Sequence, residues 1–264
     1  MSPLTTTRLT SPARHTLLFT SGKGGVGKST VAVNVACALA RRGLAVGVLD
    51  ADVYGPSVPR LLGLHDERVR WGEGEGARMI PAENFGVKVM SVGLTTPESD
   101  TPLVWRSSVA VSALRQMIAD TAWGALDVLV IDAPPGTGDV QLTLAQDVGI
   151  SRAVVVTTPQ PVATDDVRRA LRMLREVGVP IAGVVENLSA LTTADGAVHH
   201  PFGAGGGRML AHDYGVPLLA ELPLDATLRA LCDDGRPAAV CGDPAQQQRF
   251  ATLAARIVGQ LEGR

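Results

Sequence analysis

The residues best suited to chemistry lie near the start of the chain. Gly22-Lys23-Gly24-Gly25-Val26-Gly27-Lys28-Ser29, with Thr30 after it, satisfies the pattern G-x-x-x-x-G-K-[ST]. Glycines at this spacing let successive backbone N–H groups converge on one anion, and a helix opening at Lys28 adds the positive end of its dipole. The implied ligand is a nucleoside triphosphate. Lys28 would reach the β and γ phosphates, and the Ser29 hydroxyl is placed to ligate Mg²⁺. An apolar run at residues 16–20 ends just ahead of the loop and a helical pattern follows it. That strand–loop–helix context is what the motif requires.

Two acidic positions extend the candidate site. Asp50-Ala51-Asp52 follows one apolar run and Asp132 follows another. Both are expected at strand carboxyl ends, the ligand side of an open α/β sheet. Asp132 is expected to hold a water on Mg²⁺, and Asp52 to orient or activate the attacking water. Lys28 and Asp52 are thus candidate catalytic residues.

The elements that must position these residues alternate along the chain. Strands are expected at residues 16–20, 45–49, 87–92, 128–131, 153–157, 181–185 and 218–222. Most are near-continuous Val, Leu and Ile, which marks strands buried on both faces. Helices are expected at 28–42, 109–122, 166–177, 206–214 and 245–261. Alternation of this kind predicts an α/β fold, a mostly parallel twisted sheet flanked by helices. Residues 63–86, 95–105 and 187–207 break the alternation, and the first of these reads as an excursion or small hairpin. Residues 1–14 read as a loose tail and 15–264 as one domain.

Composition agrees with that frame. Hydrophobic residues make up 45% of the 264 but aromatics only 3%, so the core must be aliphatic. With 24 Lys and Arg against 26 Asp and Glu there is no basic field to hold nucleic acid. Three cysteines exclude a disulfide scaffold. No run approaches the roughly 20 apolar residues of a membrane span, and residues 1–14 lack the apolar stretch of a signal peptide. A cytoplasmic location without membrane or nucleic-acid partners is expected.

The string GKGGVGKST resembles the deviant P-loop ATPases. That resemblance implies that Lys23 crosses a dimer interface to the partner's nucleotide. The segments VLDADVYGPSVPRLLGL, PAENFGVKVMSVG, VLVIDAPPGTGDVQLTLAQ and GVVENLS are similar to the Mrp/ApbC family of ATP-dependent iron–sulfur cluster carriers. The likeness runs from about Leu17 to the C-terminus, without the family's frequent N-terminal accessory domain. It implies a homodimer sandwiching two ATP molecules and a nucleotide-sensing switch at residues 134–138. It also implies that Asn187 reads the adenine edge, that Pro223 lies beside the base, and that apo iron–sulfur proteins or an assembly scaffold are partners.

One departure stands out. After GVVENMS the family usually carries a Cys-x-x-Cys, from which each subunit gives two ligands to a shared cluster. Here residues 189–198 read SALTTADGAV, with no cysteine. Cys232 and Cys241 remain as candidate thiolates, which a dimer would double to the four that one four-iron cluster takes. Cys37 is expected in the core, and His199 and His200 in solvent. Two other readings stay open: a positioning ATPase resembling MinD or ParA, and a family member that switches a protein partner without metal. The MinD version wants a basic amphipathic C-terminal helix, but residues 245–261 hold only Arg249 and Arg256 as cations.

Overall fold

A computed structural model describes residues 9–95 and 107–263. Its strands are β1 Ala13–Ser21, β2 Val46–Asp50, β3 Arg70–Trp71, β4 Met79–Ile80, β5 Ala82–Asn84, β6 Val87–Ser91, β7 Leu126–Asp132, β8 Arg152–Thr157, β9 Ile181–Asn187, β10 Leu191–Thr192, β11 Val198–His199 and β12 Leu218–Leu222. Eight of them form one sheet in the order β12-β9-β8-β1-β7-β2-β6-β5. All pairings in that sheet are parallel except β5–β6, where β5 turns back as an antiparallel edge. Consequently β1, β2, β7 and β9 end on the same side.

The helices are α1 Lys28–Arg41, α2 Val58–Leu61, α3 Ser107–Ala119, α4 Asp139–Asp147, α5 Pro161–Glu176, α6 Gly206–Asp213, α7 Ala226–Asp233, α8 Ala238–Cys241 and α9 Pro244–Leu261. They cover both faces, and the strand side chains alternate between two cores. In β1, Leu17 and Phe19 pack with α1, α8 and α9 through Val35, Leu39, Ala239, Phe250 and Ile257. Leu18 points the other way, to α3, α4, α5 and α6 through Leu114, Leu144, Leu171 and Leu210. Both faces being apolar is why the strands read as unbroken aliphatic runs.

Each of the seven expected strands is present. Strand β1 starts at Ala13, so Ala13 and Arg14 belong to the sheet rather than to a loose tail, and Leu9 pairs with Val148 in an isolated bridge. Helix α5 starts five residues earlier than the periodicity indicates, because Pro161 occupies a first-turn position where its missing N–H costs nothing. The segment at 63–86 contains the two-stranded β3–β4 hairpin and the edge strand β5. The irregular segment at 95–105 lies outside the described residues from 96 on.

Candidate nucleotide site

The loop after β1 gathers the expected phosphate ligands. Gly25 and Gly27 have φ of +79° and +82°, backbone that a side chain rarely tolerates. Gly27 is the N-cap of α1 and supplies no side-chain hydrogen bond, so the helix opens with its N–H groups free for an anion. Lys23, Gly24, Gly25, Val26, Gly27, Lys28, Ser29 and Thr30 line a pocket of about 250 Å³ together with Asp52 and Pro135. Gly22 lies against α5, where a Cβ would come within 2.4 Å of the Asp166 carbonyl carbon. Lys23 is half-buried on the wall of this pocket.

Beneath the loop lies a buried ion pair. Lys28 Nζ is 2.6 Å from Asp132 Oδ1 and donates at 3.2 Å to Ser29 Oγ. The second carboxylate oxygen of Asp132 is buried with no hydrogen-bond partner. An orphaned anionic oxygen on the carboxylate paired with Lys28 fits a hydrated Mg²⁺, whose water would satisfy it.

Sheet register explains why the acidic residues meet. Asp50 is paired with Asp132 on β7 and with Ser91 on β6, at the carboxyl ends of three adjacent strands. Asp50 accepts from Asp52 N at 3.2 Å, Val58 N at 3.1 Å and Ser91 Oγ at 3.1 Å. Its burial, with Asp132 alongside, pushes its pKa upward. Asp50 therefore anchors the Asp52 loop from within. Asp52 accepts from Gly55 N at 3.3 Å, and burial also raises its pKa. Its position in the phosphate pocket and its raised pKa both suit a group that takes up a proton.

A second cavity of about 390 Å³ adjoins the loop, continuous in its lining from Gly25, Gly27 and Thr30 to Asp225, Asn187 and Pro223, the last two being the residues expected beside the base. Asn187 Nδ2 donates to Val26 O at 2.8 Å, which ties the end of β9 to the phosphate loop. A Cβ at Gly27 would meet that amide at 2.2 Å, so glycine is required there for space as well as for φ. The preceding residue, Glu186, was not singled out by any motif. Its carboxylate is 1% exposed and accepts from Gly207 N at 2.5 Å, occupying the N-terminus of α6. Its partner is a backbone group twenty-one residues on, which no local pattern reveals.

The two candidate cluster thiolates lie on neighbouring short helices, Cys232 in α7 and Cys241 at the end of α8. The segment that lacks Cys-x-x-Cys includes the β10–β11 hairpin, whose turn is closed by Thr193 N to Ala197 O and Gly196 N to Thr193 O, both 2.9 Å. Asp195 accepts from Thr193 Oγ1 at 2.5 Å and Ala197 N at 3.2 Å, and these bonds lower its pKa. Cys232 is only 3% exposed on the wall of this second cavity, with Asn34 Nδ2 3.7 Å from its sulfur, and burial raises its pKa. Cys241 is partly exposed at the end of α8. Cys37 is buried in α1, as expected, with its pKa pushed up to about 12 by burial. His199 and His200 are exposed, and His200 Nδ1 lies 2.8 Å from Ser189 O. Among the described residues no group of three or more His, Cys, Asp or Glu side chains is arranged to hold a metal ion.

Known proteins share both sequence and geometry. The chain is 44% identical over 260 residues to an iron–sulfur cluster carrier protein of Aquifex aeolicus, covering 98% of this chain and 71% of that one. It is 47% identical to the carrier of Deinococcus radiodurans, covering 95% of this chain and 71% of that one. Among solved structures, a nucleotide-binding protein of Archaeoglobus fulgidus in complex with ADP superposes with a TM-score of 0.76 at 34% identity, covering 90% and 93% of the two chains. The cell-division ATPase MinD of Pyrococcus furiosus shares the fold, with a TM-score of 0.67 at 22% identity over 92% and 98%. The profile of the NUBPL iron-transfer P-loop NTPases, of the ParA type, matches residues 12–258. With the phosphate loop, the buried Lys28–Asp132 pair and these relatives in agreement, the chain belongs to the iron–sulfur carrier family of P-loop NTPases.

Proposed function

We propose that this protein binds and hydrolyses ATP with Mg²⁺ as a nucleotide-switched homodimer in iron–sulfur cluster carriage. The observation that carries the ATPase reading is the buried Lys28–Asp132 pair beneath an open glycine loop. When a triphosphate enters, Lys28 exchanges Asp132 for the β and γ phosphates. Asp132, released from Lys28, would hold a water on Mg²⁺, and the Ser29 hydroxyl would ligate the ion directly. Bound Mg²⁺ neutralises the charge that grows on the transferring phosphoryl group. Asp52 orients the attacking water, and Lys23 of each subunit reaches the nucleotide of the other. Asn187 and Pro223 hold the adenine. The protein works in the cytoplasm, with apo iron–sulfur proteins or an assembly scaffold as partners.

The cargo reading draws its support from the carrier relatives, and the hairpin at residues 191–199 favours a second reading. In that one the switch is kept and acts on a protein partner without a cluster. Purification without oxygen, followed by visible absorption and ATP-turnover measurements, separates the two. Turnover with iron–sulfide absorption supports carriage; turnover with no absorption, before and after reconstitution, supports the metal-free switch. Absence of turnover overturns both.

A further inference from the structure

The loop after β7 contains two consecutive prolines, Pro134 and Pro135. Neither has an N–H, so this stretch offers the fold carbonyl acceptors and no donors. It nevertheless forms a wall of the phosphate pocket, where Pro135 stands with Lys23, Lys28 and Asp52. It also borders a cleft of about 630 Å³ shared with Tyr54 and Asp139. A donor must come from elsewhere to hold it in place.

That donor is one side chain. Gln141, 2% exposed and third in α4, donates from Nε2 to Pro134 O at 2.7 Å and to Pro135 O at 2.6 Å. A primary amide has two hydrogens, and both are used on successive carbonyls. Gln141 also lies against the two glycines of the loop: a Cβ on Gly138 would lie 3.4 Å from its Oε1 and one on Gly136 3.9 Å from its Nε2, both ordinary contact distances. Gly136 itself has φ of +92° and donates its N–H to Ser21 O at 3.0 Å, at the end of β1. The proline pair is therefore held from two sides, by α4 through Gln141 and by the phosphate-loop strand through Gly136.

We propose that Gln141 is a positioning residue for ATP turnover: it fixes the Pro134–Pro135 wall of the phosphate pocket, and its two hydrogen bonds set how readily that wall moves. The turnover half of this claim rests on the reading of the pocket as an ATPase site. Gln141 does not line the phosphate pocket, so ground-state nucleotide affinity depends on it little. The geometry around the reacting phosphate depends on it strongly, because Asp132 is only two residues ahead of the held carbonyls.

The test uses Gln141→Leu, which keeps bulk and removes the donors, and Gln141→Glu, which keeps shape and sets a carboxylate against two carbonyls. In both variants turnover should fall by about tenfold or more while affinity for a fluorescent ATP analogue stays within about threefold. Hydrogen exchange at Gly136 should speed up by about tenfold, with the amides of β1 and β7 unchanged. Unchanged exchange at Gly136, or parallel losses of affinity and turnover, would overturn the proposal. So would faster exchange spread across the whole sheet, which marks general destabilisation. A wild-type protein that does not turn over ATP would defeat the ATPase reading alone, and the exchange measurement would still decide whether Gln141 holds the loop.

Discussion

Lys28 has two partners in competition, a buried carboxylate now and a triphosphate when one binds. Lys28→Ala removes the main cationic contact to the phosphates, and each charge-assisted hydrogen bond lost is worth about 1.5–3 kcal/mol. ATP affinity should fall by about 100-fold or more, read by equilibrium binding of a fluorescent analogue. An unchanged affinity would move the phosphate site elsewhere. The same variant leaves Asp132 buried and unpaired, a change that costs about 3–5 kcal/mol where the charge is retained, so a melting curve belongs beside the binding data. Lys23→Ala should behave differently. A lysine reaching across to the other subunit acts on charge that develops in the transition state, so turnover should drop far more than affinity. Equal losses in both would make Lys23 an ordinary binding residue. At this scale the phosphate loop was legible because its ligands are contiguous and their spacing is itself the chemistry. Glu186 and Gln141 were not, because both bond to backbone groups that only the folded chain brings within reach.

Helix α7 shows what a short element contributes. Asp225 caps it, accepting from Thr227 N at 2.9 Å and Leu228 N at 3.0 Å, and also takes Gln246 Nε2 at 2.8 Å from α9. Partial burial works against the carboxylate. The bonds from Gln246, Leu228 and Thr227, with Arg249 nearby, outweigh it and lower the pKa. A lowered carboxyl pKa means that the unfolded chain binds more protons, so this stabilisation is present above the unfolded value and lost as pH falls through the folded one. Asp225→Ala should cost about 0.5–2 kcal/mol at neutral pH. The gap from wild type should narrow below about pH 4, as urea midpoints at the two pH values would show. A gap independent of pH would mean that packing, not the carboxylate, is what α7 loses. Helices α4 and α7, at 9 and 8 residues, were not among the expected helices although α6, with 8, was: two turns repeat an apolar stripe too few times for the period to decide. The two-residue strands of the hairpins carry no period at all. The central strands announced themselves because burial on both faces leaves little room for polar residues.

For the molecule as a whole, the open question is the second copy. If two chains sandwich two ATP molecules, blocking hydrolysis should trap the pair. Asp52→Ala is expected to bind ATP, turn it over slowly and remain dimeric on light scattering, whereas wild type returns to monomer as ATP is consumed. A variant that stays monomeric with saturating ATP would remove the sandwich from the mechanism. Among the described residues no helix is long and apolar enough to cross a membrane. The sheet order carries a consequence of another kind. Among the described residues β1 is the first strand, yet its neighbours on either side begin at Leu126 and Arg152. Until both have left the ribosome, an apolar strand and the glycine loop behind it wait without partners. Contacts so distant in sequence fold slowly, and an exposed apolar strand invites aggregation in the interval. The nucleotide site can form only after β8 has been made, so this protein should depend on chaperones during synthesis more than its finished stability would indicate.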